Sequence, residues 1–175
     1  MVKNELIHLV EMGPFKHKVD DGLEIRKSAF ECMYTLLETC LDKVDIYAFL
    51  DRVRAGLEDQ HEIKVLAHLM IIRLAHVAPT AVDQKIDDMI TPLKATIDFK
   101  VKGNAVKQEV EKNQELVRSA LRAVAALSKL ADIAPSSKLI QLENEIKSGP
   151  YAEEYQNIWN DSESKEYRGD LMDLS

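Results

Sequence analysis

The chain has 175 residues with 23 Lys+Arg against 30 Asp+Glu, a net charge of −7. That balance argues against a surface built to neutralise many phosphates. Hydrophobic residues at 46% and only 6 Gly and 5 Pro describe a globular, mostly helical chain, without the turn chemistry of a sandwich or barrel.

The opening differs from everything after it. Leu6 to Met12 alternates branched and polar residues, Gly13-Pro14 punctuates it, and Phe15 to Val19 alternates again before Asp20-Asp21-Gly22. Strand, turn, strand is the reading. Asp20-Asp21-Gly22 lacks the alternating oxygen ligands of a calcium loop and serves as a helix cap instead. From Glu24 onward the chain is helix after helix. The first helix places Ile25, Ala29, Met33, Leu36, Leu37 and Cys40 on one face, at helical spacing. Its two cysteines, Cys32 and Cys40, are about 12 Å apart along such a helix, beyond disulfide reach, and read as core thiols of a soluble, intracellular protein. A second helix over 45–56 turns Tyr47, Leu50, Val53 and Leu57 inward. A third, from near Asp59 to Pro79, buries Ile63, Leu66, Ala67, Met70, Leu74 and Val77. The fourth carries Val82, Ile86, Met89, Ile90 and Leu93, and Pro92 is expected to kink or break it.

After a loop around Gly103, a long helix over about 105–130 has an Ala-rich end, Ala120, Ala123, Ala125 and Ala126, suited to close helix approach. Ser136 or Ser137 caps another helix, and a last one covers 151–159. From Asp161 on, five acids and two bases form a tail expected to be flexible. No apolar run reaches the roughly 18–20 residues that span a bilayer, and the N-terminus lacks the pattern of a signal peptide.

Three helices share an opening: Glu24-Ile25-Arg26-Lys27-Ser28-Ala29, Glu62-Ile63-Lys64-Val65-Leu66-Ala67 and Glu115-Leu116-Val117-Arg118-Ser119-Ala120. The first spacing, 38 residues, lies near the HEAT/armadillo period. Helix pairs with a face too apolar to stand alone stack into solenoids. The expectation is an all-α HEAT-repeat α-solenoid of antiparallel pairs with an N-terminal β-hairpin. Its parts are a hairpin segment over 1–22, HEAT-like repeats over 23–160 and the tail over 161–175. Ile25, Ile63 and Leu116 should occupy equivalent inward positions.

Chemistry is sparse. His61-Glu62 opens like a zincin motif, but Val65 stands where the second His belongs. His68 and His76 follow at helical spacing without a completing Cys or carboxylate set. No phosphate loop, nucleophile elbow or Cys–His arrangement occurs. Lys94, Lys100, Lys102 and Lys107 cluster around one loop without interleaved aromatics and read as a solvated rim. The expectation is no enzyme, no metal, no cofactor, no nucleic acid, no membrane and no small-molecule substrate, leaving a protein-binding module.

The strings Glu11-Met-Gly-Pro-Phe-Lys-His17, Val19-Asp-Asp-Gly-Leu-Glu-Ile-Arg-Lys27 and Ala29-Phe-Glu-Cys-Met-Tyr-Thr-Leu-Leu37 resemble the C-terminal end of the cullin-associated, neddylation-dissociated family. So do Pro92-Leu-Lys-Ala-Thr96, Val106-Lys-Gln-Glu109 and Arg118 to Leu127, extending the resemblance from about Glu5 to Leu127. It implies a HEAT solenoid found in cytoplasm and nucleus. Such a protein binds the cullin N-terminal region, competes there with the substrate adaptor, and so regulates assembly of SCF-type ubiquitin ligases. A chain of 175 residues is a small part of such a solenoid. The resemblance also implies a β-hairpin that intrudes on the adaptor site, here Glu11–Leu23. Met12, Gly13, Pro14, Phe15, Lys16, His17 and Lys18 would form the partner-binding finger, two large apolar side chains beside a basic rim. The alternative is a helical scaffold for another partner, such as a transcription factor.

Overall fold

The computed structural model describes residues 4–12, 15–130 and 136–161; at residues 4, 12 and 15–18 the description is of the backbone alone. A short 3₁₀ turn (Asn4–Leu6) leads into β1 (Ile7–Met12) and β2 (Phe15–Asp20). The strands pair antiparallel from Ile7 opposite Asp20 to Met12 opposite Phe15, with two residues between them in the chain. Helices follow: α1 (Leu23–Thr39), α2 (Ile46–Gly56), α3 (His61–Val77), α4 (Pro79–Asp98), α5 (Lys107–Leu130), α6 (Ser137–Ser148) and a helical run over 152–161. The expected tail from residue 162 onward lies outside the described residues.

The caps explain several boundaries. Asp45 accepts from the Tyr47 and Ala48 amides and starts α2, and Ser136 accepts from the Leu139 amide and starts α6, each satisfying otherwise orphaned N–H groups. α4 runs unbroken through Pro92, against expectation. The ring is buried beside Met89, Ile90 and Leu93, and that packing holds the helix across the missing backbone bond.

The helices form two layers, α1, α3 and α5 in one and α2, α4 and α6 in the other, as a helical-repeat fold requires. Hydrogen bonds reveal the repeat directly. His61 Nε2 meets the Lys112 carbonyl at 3.0 Å and His68 Nδ1 meets Ser119 Oγ at 2.7 Å, both 51 residues apart. Equal offsets at two points mean that α3 and α5 run parallel and in register. Lys94 with Glu145 and Lys138 with Asp87 give the same 51-residue offset between α4 and α6.

The expected equivalence of Ile25, Ile63 and Leu116 fails: Ile63 and Leu116 lie 53 residues apart, two off the 51-residue register of α3 and α5, and one of the three does not point inward. Ile63 and Leu116 are buried, whereas Ile25 is 72% exposed. α3 lies between α1 and α5 and needs apolar residues on both flanks; α1 is the outer helix of the described stack, so one flank is uncovered. Its buried face is Leu23, Arg26, Phe30, Met33, Tyr34 and Leu37, and the stripe Ile25, Ala29, Cys32 and Leu36 looks outward. Cys32 is exposed and Cys40 half-buried, so neither is a fully buried core thiol. Phe30 sits where α1 meets α2: a Cβ on Gly56 would lie 2.4 Å from its ring, so Gly lets the two elements touch. Tyr47 also points outward, donating its hydroxyl proton to Gln84 Oε1 at 2.9 Å, and Phe49 takes the core position.

Candidate protein-binding site

The hairpin is distinctive because, among its described side chains, those of β1 from His8 to Glu11 are left open to solvent. In a strand, successive side chains face opposite sides, so a hairpin lying on helices would hide every second residue. In β1, His8, Leu9, Val10 and Glu11 are all exposed, with Leu9 at 64%. Among the described residues the two strands pack mainly on each other. Among the described side chains of the two strands, exposure falls at the base, at Ile7, Val19 and Asp20. The finger therefore projects, with apolar side chains on both faces.

Of the expected finger residues, Gly13 and Pro14 lie outside the described residues, as do the side chains of Met12, Phe15, Lys16, His17 and Lys18. The backbones of Met12 and of Phe15 to Lys18 are in the paired strands, closest to the turn. Leu9 and Val10 were not singled out in the sequence, although the apolar pairs Leu6-Ile7 and Leu9-Val10 on either side of His8 carried the signal.

Polar bonds fasten the base of the finger. The Asp21 amide donates to the Leu6 carbonyl at 3.0 Å, and His8 Nδ1 lies 3.4 Å from Asp21 Oδ2. Arg26, in the second turn of α1, donates through Nη1 and Nη2 to Asp20 (3.2 and 2.8 Å) and through Nε and Nη2 to Asp59 (2.9 and 2.8 Å). Those hydrogen bonds, first Asp20 and then Asp59, hold the guanidinium proton even more firmly than usual.

The other chemical candidates disperse. His61 and His68 are used between α3 and α5, and His76 is exposed. His68 is fully buried; burial first, then Lys64 and His61, push its pKa down to about 3, so the ring is neutral. No group of three His, Cys, Asp or Glu able to hold a metal occurs among the described residues. Lys94 and Lys107 have carboxylate partners, Glu145 with Asp98 and Glu111, leaving Lys100 and Lys102 exposed on the loop. An open cleft of about 320 Å³ beside that loop is lined by Ile97, Lys100, Leu142, Glu145 and Tyr151 among others, without a nucleophile–base pair. No described helix is long and apolar enough to cross a membrane.

Comparison with known proteins places this architecture. Residues 1–151 match the family model described as TATA-binding protein interacting (TIP20). The chain is 56% identical over 149 residues to cullin-associated NEDD8-dissociated protein 1 of Drosophila melanogaster, covering 85% of this chain and 12% of that protein. It is 47% identical over 175 residues to cullin-associated NEDD8-dissociated protein 2 of Rattus norvegicus, covering 99% and 14%. With protein 1 of Dictyostelium discoideum identity is 46% over 179 residues, again covering 99% and 14%. The chain thus spans about one-eighth of the length of these relatives.

Proposed function

Because this chain belongs to the family of the cullin-associated NEDD8-dissociated proteins, we propose that it is a cullin-binding module whose hairpin competes with the substrate adaptor for the cullin N-terminal region. The observation that carries this reading is the projecting finger. A two-stranded hairpin is marginal by itself in water, and exposed Leu9 and Val10 add an apolar surface that a monomer gains nothing from. A partner that covers both faces recovers that loss. The Lys16-His17-Lys18 run supplies a polar rim and Phe15 an aromatic anchor, the composition of an interface centre. The helical stack is the rigid mount. The module acts without chemistry of its own, as an assembly inhibitor and adaptor-exchange factor.

The test is competition between this chain and a substrate adaptor for a purified cullin N-terminal region. Phe15→Ala should weaken competition by about 2 kcal/mol or more, as loss of a hot spot does, with helical content and melting temperature retained. A variant that unfolds, or that competes as well as the parent, would overturn the reading. A second reading, a scaffold for a TATA-binding transcription factor, is favoured by the description of the family model alone. Retention of that factor rather than a cullin on the immobilised chain would select it.

A further inference from the structure

We infer that Arg26 is a positioning residue that sets the direction in which the hairpin leaves the helical stack; this rests on the hairpin reading above. Arg26 occupies an inward position on α1, between Leu23 and Phe30 on the same face, where an aliphatic residue would serve packing better. Its side chain is 10% exposed, and those of Asp20 and Asp59 are 7% and 5% exposed. Asp20 is the last residue of β2, and Asp59 lies in the turn between α2 and α3.

The geometry gives this triad an orienting role. A guanidinium is planar with its donors in a fixed fork. Two carboxylates that each take two bonds from it are therefore held in one mutual arrangement. Each carboxylate is fixed again by a backbone amide, since Asp20 Oδ1 also accepts from the Gly22 amide at 3.1 Å and Asp59 Oδ1 from the Gln60 amide at 2.7 Å. The chain of bonds runs from the end of β2 through α1 to the start of α3. There is no slack at the corner: a Cβ on Gly22 would lie 2.8 Å from Leu6 Cδ1 and 3.0 Å from Arg26 Nη1. A buried ion triad is poor evidence of stabilisation, because desolvation offsets its attraction. What it confers is a defined direction on a finger that the apolar core does not hold. Affinity scales with the fraction of molecules whose finger is aimed correctly, so a fall in that fraction to one-tenth weakens binding about tenfold.

Arg26→Lys keeps the charge but replaces the fork by a point donor, and Asp20→Asn takes the charge and one of the two acceptor oxygens from the hairpin arm while leaving Asp59 on Arg26. Both are compared with the parent in a Cys32→Ser, Cys40→Ser background carrying spin labels at Leu9 and Glu31, which are exposed. Circular dichroism and adaptor competition for the cullin N-terminal region, both run on the same variants without labels and with Leu9 intact, complete the measurement. The expected result is unchanged helical content, a broadened label-to-label distance distribution and competition about tenfold weaker. Distances as narrow as the parent's, or unweakened competition alongside a weakened Phe15→Ala, would overturn the inference. So would loss of the helical signal in both variants, which would make the triad a folding element. If Phe15→Ala competes like the parent while the distances broaden, the hairpin reading fails and the positioning role of Arg26 stands.

Discussion

Two apolar-rich segments of this chain meet opposite fates. In α3, Ile63, Ala67, Met70, Ile71 and Leu74 are completely buried between α1 and α5. In β1, every side chain from His8 to Glu11 is exposed. The helix is held by area removed from water, a term that tolerates small shifts but not lost volume. The finger is held by its own strand ladder and by directional polar bonds at its base, which fix an angle and contribute little burial. Stability and accessibility are thus assigned to different parts: the stack can lose nothing cheaply, and the finger can change residue without unfolding the molecule.

The comparison is sharpest where the core is cut. Leu121→Ala, at a fully buried position of α5, should cost about 2–5 kcal/mol in a urea titration. A loss as small as that of a surface change would mean the layers are not close-packed. A middle-sized effect belongs to His68. Its ring stays neutral in the folded chain down to about pH 3, whereas in the unfolded chain it takes up a proton near pH 6.5. Acid therefore favours the unfolded chain. The stability is intact above pH 6.5 and drains as pH falls from 6.5 towards 3, by about 2 kcal/mol at pH 5. His68→Gln should remove that part of the pH slope between pH 7.5 and 5; equal slopes in parent and variant would refute it. The smallest effect is expected at the finger. Leu9→Thr, on a side chain 64% exposed, should change stability by within about 0.5 kcal/mol, and a larger loss would mean that the finger is packed after all.

Much of this was legible locally. The period of apolar residues marks α3, α4 and α5, Asp45 and Ser136 mark helix starts, and two alternating runs around Gly13-Pro14 mark the hairpin. These features depend on residues within a few positions of one another, where periodicity and capping act. The family resemblance was legible too, in strings from Glu5 to Leu127. The flank of α1 that looks outward was not. Its apolar residues cover both Phe30's face and that of Ile25, Ala29 and Leu36, and the choice is made by α2 and α3. Tyr47 shares its helical spacing with Leu50, Val53 and Leu57, but Gln84, 37 residues away, gives its hydroxyl an outer partner. Pro92 was expected to interrupt a helix that tertiary burial sustains.

The sequence by itself thus determined the elements, their helical-repeat class and the existence of the finger, because short-range sterics and spacing decide those. Only the tertiary structure decided which faces are covered and that Arg26 joins Asp20 to Asp59, which lies 33 residues further along the chain than Arg26, because burial and ion pairing depend on neighbours that the chain brings together only when it folds.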